Sequence, residues 1–206
     1  MKKNLPGFSL LVLIMALGLS VSAQEDSAGS NEAERARKQK EIMQATLPGE
    51  EHELLARLAG DWNMELKMWM TPETEPMIVS GTSRNEMILG GRFLKSEAAA
   101  GSGAHAMESL NLVGFDRRHK KYTTVGFDNF GTYSVSASGS FDEESGKLVL
   151  SGTGTDPIGG FDQVYDFVVE FIDDDHYRWS VIFKNKEMTH GQPEFKMVEI
   201  VYTRES

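Results

Sequence analysis

The sequence predicts an all-β domain, an antiparallel β-barrel of about ten strands with a short N-terminal helix leading into the first strand. Three observations favour this fold. First, apolar and polar residues alternate from residue 62 onward, as they do along half-buried strands. Second, mostly short turns join these segments without an intervening helix, so that neighbouring strands pair antiparallel. Third, an open sheet of this size would leave two unpaired edges, which closure into a barrel removes.

The strands can be followed along the chain by this alternation and by the turns between them. Trp62, Met64, Leu66 and Met68 give the first strand one apolar face. Gly, Asp, Asn and Pro mark the turns, and a Gly/Ala/Ser-rich loop is predicted at 99–104. The predicted strands are 62–70, 77–89, 92–98, 107–115, 121–128, 132–141, 147–153, 161–172, 176–184 and 195–204.

Residues 1–23 have the composition of a secretory signal peptide. Lys2 and Lys3 give a positive start, an apolar run covers 8–19, and small residues predict cleavage after Ala23. An uncleaved anchor is the alternative, but this run is shorter than the ~20 apolar residues that a membrane span needs. We therefore expect a secreted or periplasmic protein with no stable membrane insertion after cleavage.

Residues 24–49 form a charged linker that the sequence leaves either helical or disordered. The stretch 32–40 has almost no apolar stripe with which it could dock on a core. In 50–59, Leu54, Leu55 and Leu58 recur at helical spacing, and Gly60 ends this helix. The barrel domain is therefore predicted over residues 50–206.

The composition restricts the classes of partner and of site. The chain has no cysteine, which excludes disulfides, thiolate metal sites and a lipid-modified cysteine. Its formal net charge is −10, and loss of Lys2 and Lys3 with the signal peptide makes it −12. Because an acidic surface repels phosphate groups, we expect no nucleic acid partner.

No cofactor and no metal site is predicted. The five histidines are scattered over the predicted helix, loops and a strand start, without the spacing of a zinc-binding helix. The acidic run Asp173-Asp-Asp175 lacks the pattern of a calcium loop and is interpreted as a solvated turn.

Five short motifs follow one another along residues 50–206. They are His52-Glu-x-Leu-x-x-Leu-x-Gly-Asp-Trp62, Leu89-Gly-Gly-Arg-Phe93, Gly114-Phe-Asp116, Asp128 followed by Gly131-Thr132, and Lys196-Met-Val-Glu-x-x-Tyr-x-Arg204. In this order they resemble the DUF1579 family of uncharacterised, often secreted bacterial proteins. The resemblance implies a lipocalin-like (calycin-type) barrel and lends no activity.

The start and the end of the barrel carry a second resemblance. Gly60-Asp-Trp62 is similar to the Gly-x-Trp of lipocalins, in which a basic residue of the last strand lies across the Trp. This resemblance implies that Arg204 is that residue here. We interpret Gly60, Trp62 and Arg204 as a structural closure of the barrel, since a guanidinium over an indole contributes ~0.5–2 kcal/mol.

Methionines are the first group of candidate ligand contacts. Met64 and Met68 lie on the apolar face of the first strand, and Met87 and Met197 are candidate neighbours on other strands. Methionine adapts its shape, and proteins use it where a surface must fit varied apolar ligands. Ordinary core packing explains the same residues, and this alternative stays open.

Polar residues within apolar stripes are the second group. Asn85 falls on the apolar face of the second strand, and Glu199 is predicted to share a face with Met197 on the last. Ligand pockets are mostly apolar with a few placed polar groups, so both residues are candidate ligand contacts. The alternatives are a misassigned face or a structural ion pair of Glu199 with Arg84 or Arg92.

The sequence gives weaker support to an enzyme. It contains neither a Gly-x-Ser-x-Gly elbow nor a phosphate-binding loop. Asp128, at a strand end beside Gly131-Thr132, is a weak candidate for a general base, and Glu199 is a second one. A turn cap is the alternative role for Asp128.

These observations favour an exported barrel that holds a small apolar or amphipathic molecule in its interior. Two alternatives stay open. One is a barrel enzyme of isomerase or hydrolase type that uses an interior carboxylate. The other is a packed barrel that acts as a structural or protein-interaction module. No oligomeric state is predicted.

Overall fold

Ten antiparallel strands close into a barrel in the computed structural model, which describes residues 25–103 and 106–206. Each strand pairs with its neighbours in the chain, and the first strand pairs with the last. The predicted all-β barrel is therefore confirmed. The predicted signal peptide lies outside the described residues.

Three helices and ten strands make up the described chain. The helices are α1 (Glu25–Ala45), α2 (Glu50–Ala56) and α3 (Lys186–Thr189). The strands are β1 (Gly60–Met68), β2 (Met77–Ile88), β3 (Phe93–Ala100), β4 (Met107–Asp116), β5 (Lys121–Asp128), β6 (Val135–Asp142), β7 (Lys147–Thr155), β8 (Asp162–Phe171), β9 (His176–Phe183) and β10 (Phe195–Arg204). Of the helices described, none is both long and apolar enough to cross a membrane.

Helix α1 is polar on all sides, and its side chains are exposed throughout residues 31–45. Up to Glu41 it belongs to a compact unit of its own, and residues 42–206 form the other unit. Ion pairs one turn apart support the helix locally, with Lys38 Nζ 2.8 Å from Glu34 Oε1. Such pairs contribute about 0.2–0.5 kcal/mol each. Helix α1 covers residues 25–45 of the predicted linker 24–49.

Helix α2 covers one end of the barrel with its apolar face. Leu55 is completely buried there, and the edge of the His52 ring packs against Phe115 with the ring centroids 6.2 Å apart. The hydroxyl of Tyr122 on β5 donates to the Glu51 carbonyl over 3.2 Å. The opposite end of the barrel is formed by loops, among them 69–76, 129–134, 156–161 and 184–194.

Strand β10 departs from the alternation that the sequence predicts. Between Lys196 and Val198 its register with β9 shifts by one residue, which is a β-bulge. The extra residue reverses the alternation, so that Val198 and Ile200 line the barrel interior beside Met197. The predicted shared face of Met197 and Glu199 is therefore wrong.

Two smaller predictions also differ from the structure. The sequence predicts no helix between strands, but α3 lies between β9 and β10. Four residues are too few to show a helical period, and the helix ends at His190 in the left-handed conformation. Residues 99–100, predicted as loop, extend β3 because they pair with β2 on one side and β4 on the other.

Candidate functional site

The barrel interior contains a cavity of about 380 Å³. Side chains from all ten strands line it, together with Phe130 and Tyr133 from the loop between β5 and β6. Because these two loop residues are exposed to solvent, the cavity opens at the end opposite α2. Its volume lies within the range of about 300–1,000 Å³ that is typical of sites for small molecules.

One side of the cavity is an aromatic wall, formed by four rings on β8 and β9. Phe167 and Trp179 stack with their ring centroids 5.2 Å apart. Tyr165 lies 5.0 Å from Phe167 and 6.1 Å from Phe183 between centroids. These contacts hold the rings against one another, so that they present a broad and rigid apolar surface to the cavity.

The other side is a small-residue wall on β3, β4 and β5, and β4 lies opposite β9 in the ring of ten strands. Short side chains leave space here, where longer ones would fill the barrel. The members of the small-residue wall are Ser96, Ala98, Ser109, Asn111, Thr124 and Gly126. The cavity thus exists because aromatic rings on one side face short and mostly polar side chains on the other.

Asn111 is the largest polar side chain of the small-residue wall. It lies directly opposite Gly126 on the neighbouring strand. A Cβ atom at Gly126 would lie 2.4 Å from Asn111 Oδ1. Only glycine at this position therefore leaves room for the Asn111 amide where it lies. The Asn111 amide forms no hydrogen bond with any residue in the described part of the chain.

The inner end of the cavity, nearest α2, is closed by a hydrogen-bond network around Asn85. Its Nδ2 donates to the Leu58 carbonyl over 2.9 Å and to the Tyr177 hydroxyl over 3.1 Å. Its Oδ1 accepts from the Ser83 hydroxyl over 2.8 Å. Asn85 lines the cavity as a candidate contact should, but both its donors already have protein partners.

Two stacked tyrosines complete this inner end. The rings of Tyr177 and Tyr202 are nearly parallel, with their centroids 4.1 Å apart. Burial raises the pKa of both hydroxyls well above the ordinary value, so both stay protonated at neutral pH. They supply neutral hydrogen-bonding groups and no charge.

The candidate methionines divide into two groups in the structure. Met64, Met68 and Met197 line the cavity. Met87 does not belong to the lining; it packs against the core beside Leu94 on β3. The location of Met87 therefore does not support the prediction that it contacts a ligand.

Glu199 lies on the outer face of β10 and not in the cavity. Its carboxylate pairs with Lys196 and lies 3.8 Å from Arg178 Nε. Burial alone would raise the pKa of Glu199, but the hydrogen bond and charge of Lys196 outweigh it and lower the pKa. The structure has the first alternative, a misassigned face, and Glu199 pairs with Lys196 rather than with Arg84 or Arg92. The bulge in β10 is the reason for the wrong face.

Asp128 lies at the mouth of the cavity with its side chain exposed. Its Oδ1 accepts a hydrogen bond from the Phe130 backbone N–H over 2.9 Å. The carboxylate therefore caps the turn after β5, as the alternative interpretation proposed. A catalytic role for Asp128 stays a prediction.

Gly60, Trp62 and Arg204 meet at the end of the barrel that α2 covers. The Arg204 guanidinium lies 4.1 Å from the centre of the Trp62 ring, and Nη1 donates to the Ala59 carbonyl over 2.9 Å. Trp62 is buried, and its Nε1 donates to the Leu58 carbonyl over 3.0 Å. Gly60 has a φ of 132°, and a Cβ there would lie 2.6 Å from Arg204 Nη1. These contacts connect the start of β1 to the end of β10.

Metal-binding groups are not gathered at any point of the described chain. Within residues 25–103 and 106–206, no three or more His, Asp or Glu side chains are placed to hold an ion. His105 lies outside the described residues.

Sequence reasoning missed the small-residue wall because the alternation of apolar and polar residues in the middle of β4 predicts the opposite inward face. Leu110, on the outer face, is more apolar than its inward neighbours Ser109 and Asn111. The inward face is set instead by Met107 and Val113 on the same strand, which pack against the core. Polar residues flanked by Met107 and Val113 at period two were the signal that could have found the site.

The comparisons with known proteins give a family and no activity. The family model described as "Protein of unknown function (DUF1579)" matches residues 47–204, which is most of the chain and almost all of the barrel. No curated protein matches the sequence. The matched span includes every motif from His52 to Arg204, and the chain belongs to the DUF1579 family.

Proposed function

We propose that this protein is an exported barrel that binds one small, mainly apolar molecule in its interior. The observation that carries the proposal is the 380 Å³ cavity, which opens at one end and is lined by all ten strands. The aromatic wall supplies apolar contact area, and the four lining methionines, Met64, Met68, Met107 and Met197, can adapt to the shape of a bound molecule.

The cavity favours a binding protein over a packed barrel. Protein interiors are normally close-packed, and the lining of a void loses dispersion contacts. In cavity-creating mutants the loss of stability grows by about 24 cal/mol per Å³ of void. An occupant that fills the space restores those contacts, whereas a purely structural barrel has no use for the space.

The enzyme alternative draws little support from the site. Glu199 lies outside the barrel, and Asp128 is hydrogen-bonded to its own turn. A general base needs a carboxylate next to a second polar group at the reacting atom, and neither candidate has this arrangement. Binding is therefore the function that the geometry favours.

Export is the second part of the proposal. It rests on the charge, apolar run and small residues of 1–23, and a chain without cysteine folds equally well in an oxidising compartment. We place the mature protein, from Gln24 onward, in the periplasm or outside the cell.

Two neighbouring alanines on β3 give a matched test of binding. Ala98 lines the cavity, whereas Ala99 is exposed on the outside of the barrel. The neutral fluorescent probe N-phenyl-1-naphthylamine should bind the mature protein saturably with one site per chain. Ala98→Trp should lower its affinity by at least about tenfold, since the indole occupies the space of the probe, and Ala99→Trp should leave it unchanged.

The measurement is a fluorescence titration, with circular dichroism to show that each variant is folded. Equal affinity in both variants would place the probe outside the cavity and overturn the proposal. Absence of saturable binding to the wild-type protein would do the same, and would favour the packed barrel.

A further inference from the structure

We infer that the ligand is a neutral amphipathic molecule whose uncharged head group, an alcohol or a primary amide, hydrogen-bonds to Asn111. This inference rests on the proposed function and specifies the chemical class that the same cavity would take. Three features of the lining carry it: its lack of positive charge, the position of its polar groups, and the unpartnered Asn111 amide.

The charges around the cavity disfavour an anionic ligand such as a fatty acid carboxylate. No lysine, arginine or histidine is found among the described residues that line the cavity, and Asp128 at the mouth is negative. The nearest strands carry their cations on the outer face, where Lys184 pairs with Asp166 and Lys196 pairs with Glu199. A carboxylate in the cavity would lose its hydration without gaining a counter-charge.

Most polar side chains of the cavity wall lie on β3, β4 and β5. Elsewhere in the lining, Gln163 on β8 donates to Asp156 over 3.2 Å, and Asn85 and the two tyrosines form the inner end. Ser96, Asn111 and Gly126 lie directly opposite one another on β3, β4 and β5, and Ser109 follows two residues before Asn111. The facing aromatic wall is apolar. A ligand that satisfies both surfaces therefore has a polar group at one side and a hydrocarbon body against the rings.

Asn111 has the largest unused capacity for hydrogen bonds on this wall. Ser96 Oγ already lies 3.1 Å from Ser83 Oγ, and the Asn85 amide is fully engaged as a donor. The Asn111 amide offers two donors and a carbonyl acceptor to the cavity, and no described residue takes them. This amide is therefore the group to which a ligand that both donates and accepts would bind.

The test compares three probes that differ only in the head group: decan-1-ol, decanamide and decanoate. Each is titrated at pH 7.5 against mature protein loaded with N-phenyl-1-naphthylamine, which has no comparable head group. The wild-type protein should bind the alcohol and the amide at least about tenfold more tightly than decanoate, because only the anion needs a counter-charge.

Asn111→Leu tests the residue itself, because it keeps the size of the side chain and removes its hydrogen bonds. It should weaken decan-1-ol and decanamide by about three- to tenfold, the loss expected for one hydrogen bond. Affinity for N-phenyl-1-naphthylamine, which has no comparable head group, should fall by less than affinity for decan-1-ol, and circular dichroism shows that the variant is folded. Asn63→Leu, the same change on the exposed outer face of β1, is the matched control and should change nothing.

The outcomes separate this inference from the proposed function. If the naphthylamine binds but decanoate competes as well as decan-1-ol, the neutral head group is wrong while the binding barrel stands. If Asn111→Leu leaves alcohol affinity unchanged, Asn111 is not the contact. If the wild-type protein does not bind the naphthylamine or any decyl probe, the proposed function itself fails.

Discussion

Gly126 lies directly opposite Asn111, and its missing side chain decides where the Asn111 amide can lie. The φ of Gly126 is not positive, so its backbone accepts alanine without strain. Any effect of Gly126→Ala must therefore come from the contacts that the new Cβ makes, of which the tightest is 2.4 Å from Asn111 Oδ1 and the next is 3.3 Å from Val135 Cγ2. A side chain that closes this space would turn the amide away from the position that the inferred head group occupies.

We expect Gly126→Ala to weaken decan-1-ol by about three- to tenfold, as one lost hydrogen bond would, and the naphthylamine by less. Competition titration measures both. Gly154→Ala on β7 is the control, because its Cβ would find only ordinary contact, 3.6 Å from Tyr165. If Gly126→Ala binds the alcohol as tightly as the wild-type protein, the close fit between Gly126 and Asn111 has no part in recognition.

At the scale of the element, helix α2 depends on a neutral histidine. His52 is buried, and its Nδ1 accepts a hydrogen bond from the Gly49 N–H over 3.1 Å at the start of the helix. Burial lowers the pKa of His52, opposed by the charge of Glu51 and assisted by Arg117 and Arg92. Protonation of His52 Nδ1 would convert this acceptor into a donor and break the hydrogen bond to Gly49. The packing of α2 on the end of the barrel would then be weaker.

This pKa shift predicts how stability depends on pH. The unfolded chain, with an ordinary histidine pKa of about 6.5, takes up the proton before the folded protein does. The contribution of His52 is therefore fully present above about pH 7. It falls as the pH drops below about 6.5, and it levels off below the lowered pKa of the folded state.

His52→Gln isolates the effect, because glutamine at this helix position can accept the same backbone hydrogen bond and does not titrate. Urea unfolding at pH 7.5 and at pH 5 should show a smaller loss of unfolding free energy in this variant than in the wild-type protein. The other titrating groups are the same in both proteins, so they cancel in the comparison. An equal loss in both would show that His52 does not titrate on unfolding.

Strand patterns explain how far the sequence could predict the site. On β1 the apolar alternation was reliable, and Met64 and Met68 line the cavity as expected. On β10 the bulge at Met197 reversed the alternation and placed Glu199 outside. A bulge changes the backbone register without a change in composition, so that a period-two reading of the residues alone does not show it. In the middle of β4 the inward Ser109 and Asn111 are more polar than the outward Leu110, contrary to the usual pattern.

At the scale of the whole molecule, closure was predictable and the cavity was not. Closure follows from the number of strands and from their short turns, and the Trp62–Arg204 contact joins β1 to β10 as the resemblance to lipocalins implied. The cavity depends on which side chains meet across the barrel, such as the small residues of β4 and the rings of β9. Those positions are about 70 residues apart in sequence, and local periodicity contains no information about their distance.

Because the cavity lies at the centre of the barrel, an occupant should stabilise the whole fold. A ligand that binds only the folded state at 100 times its Kd adds about 2.7 kcal/mol, which for a chain of this size corresponds to a rise in Tm of about 5–10 °C. We expect saturating decan-1-ol to give such a rise with wild-type protein and with Ala99→Trp, measured by calorimetry. Ala98→Trp should show at most about half of this rise, because the indole occupies part of the space and weakens binding by at least about tenfold. A rise of equal size in Ala98→Trp would mean that the alcohol stabilises the protein by binding at its surface. The barrel interior would then not be the binding site.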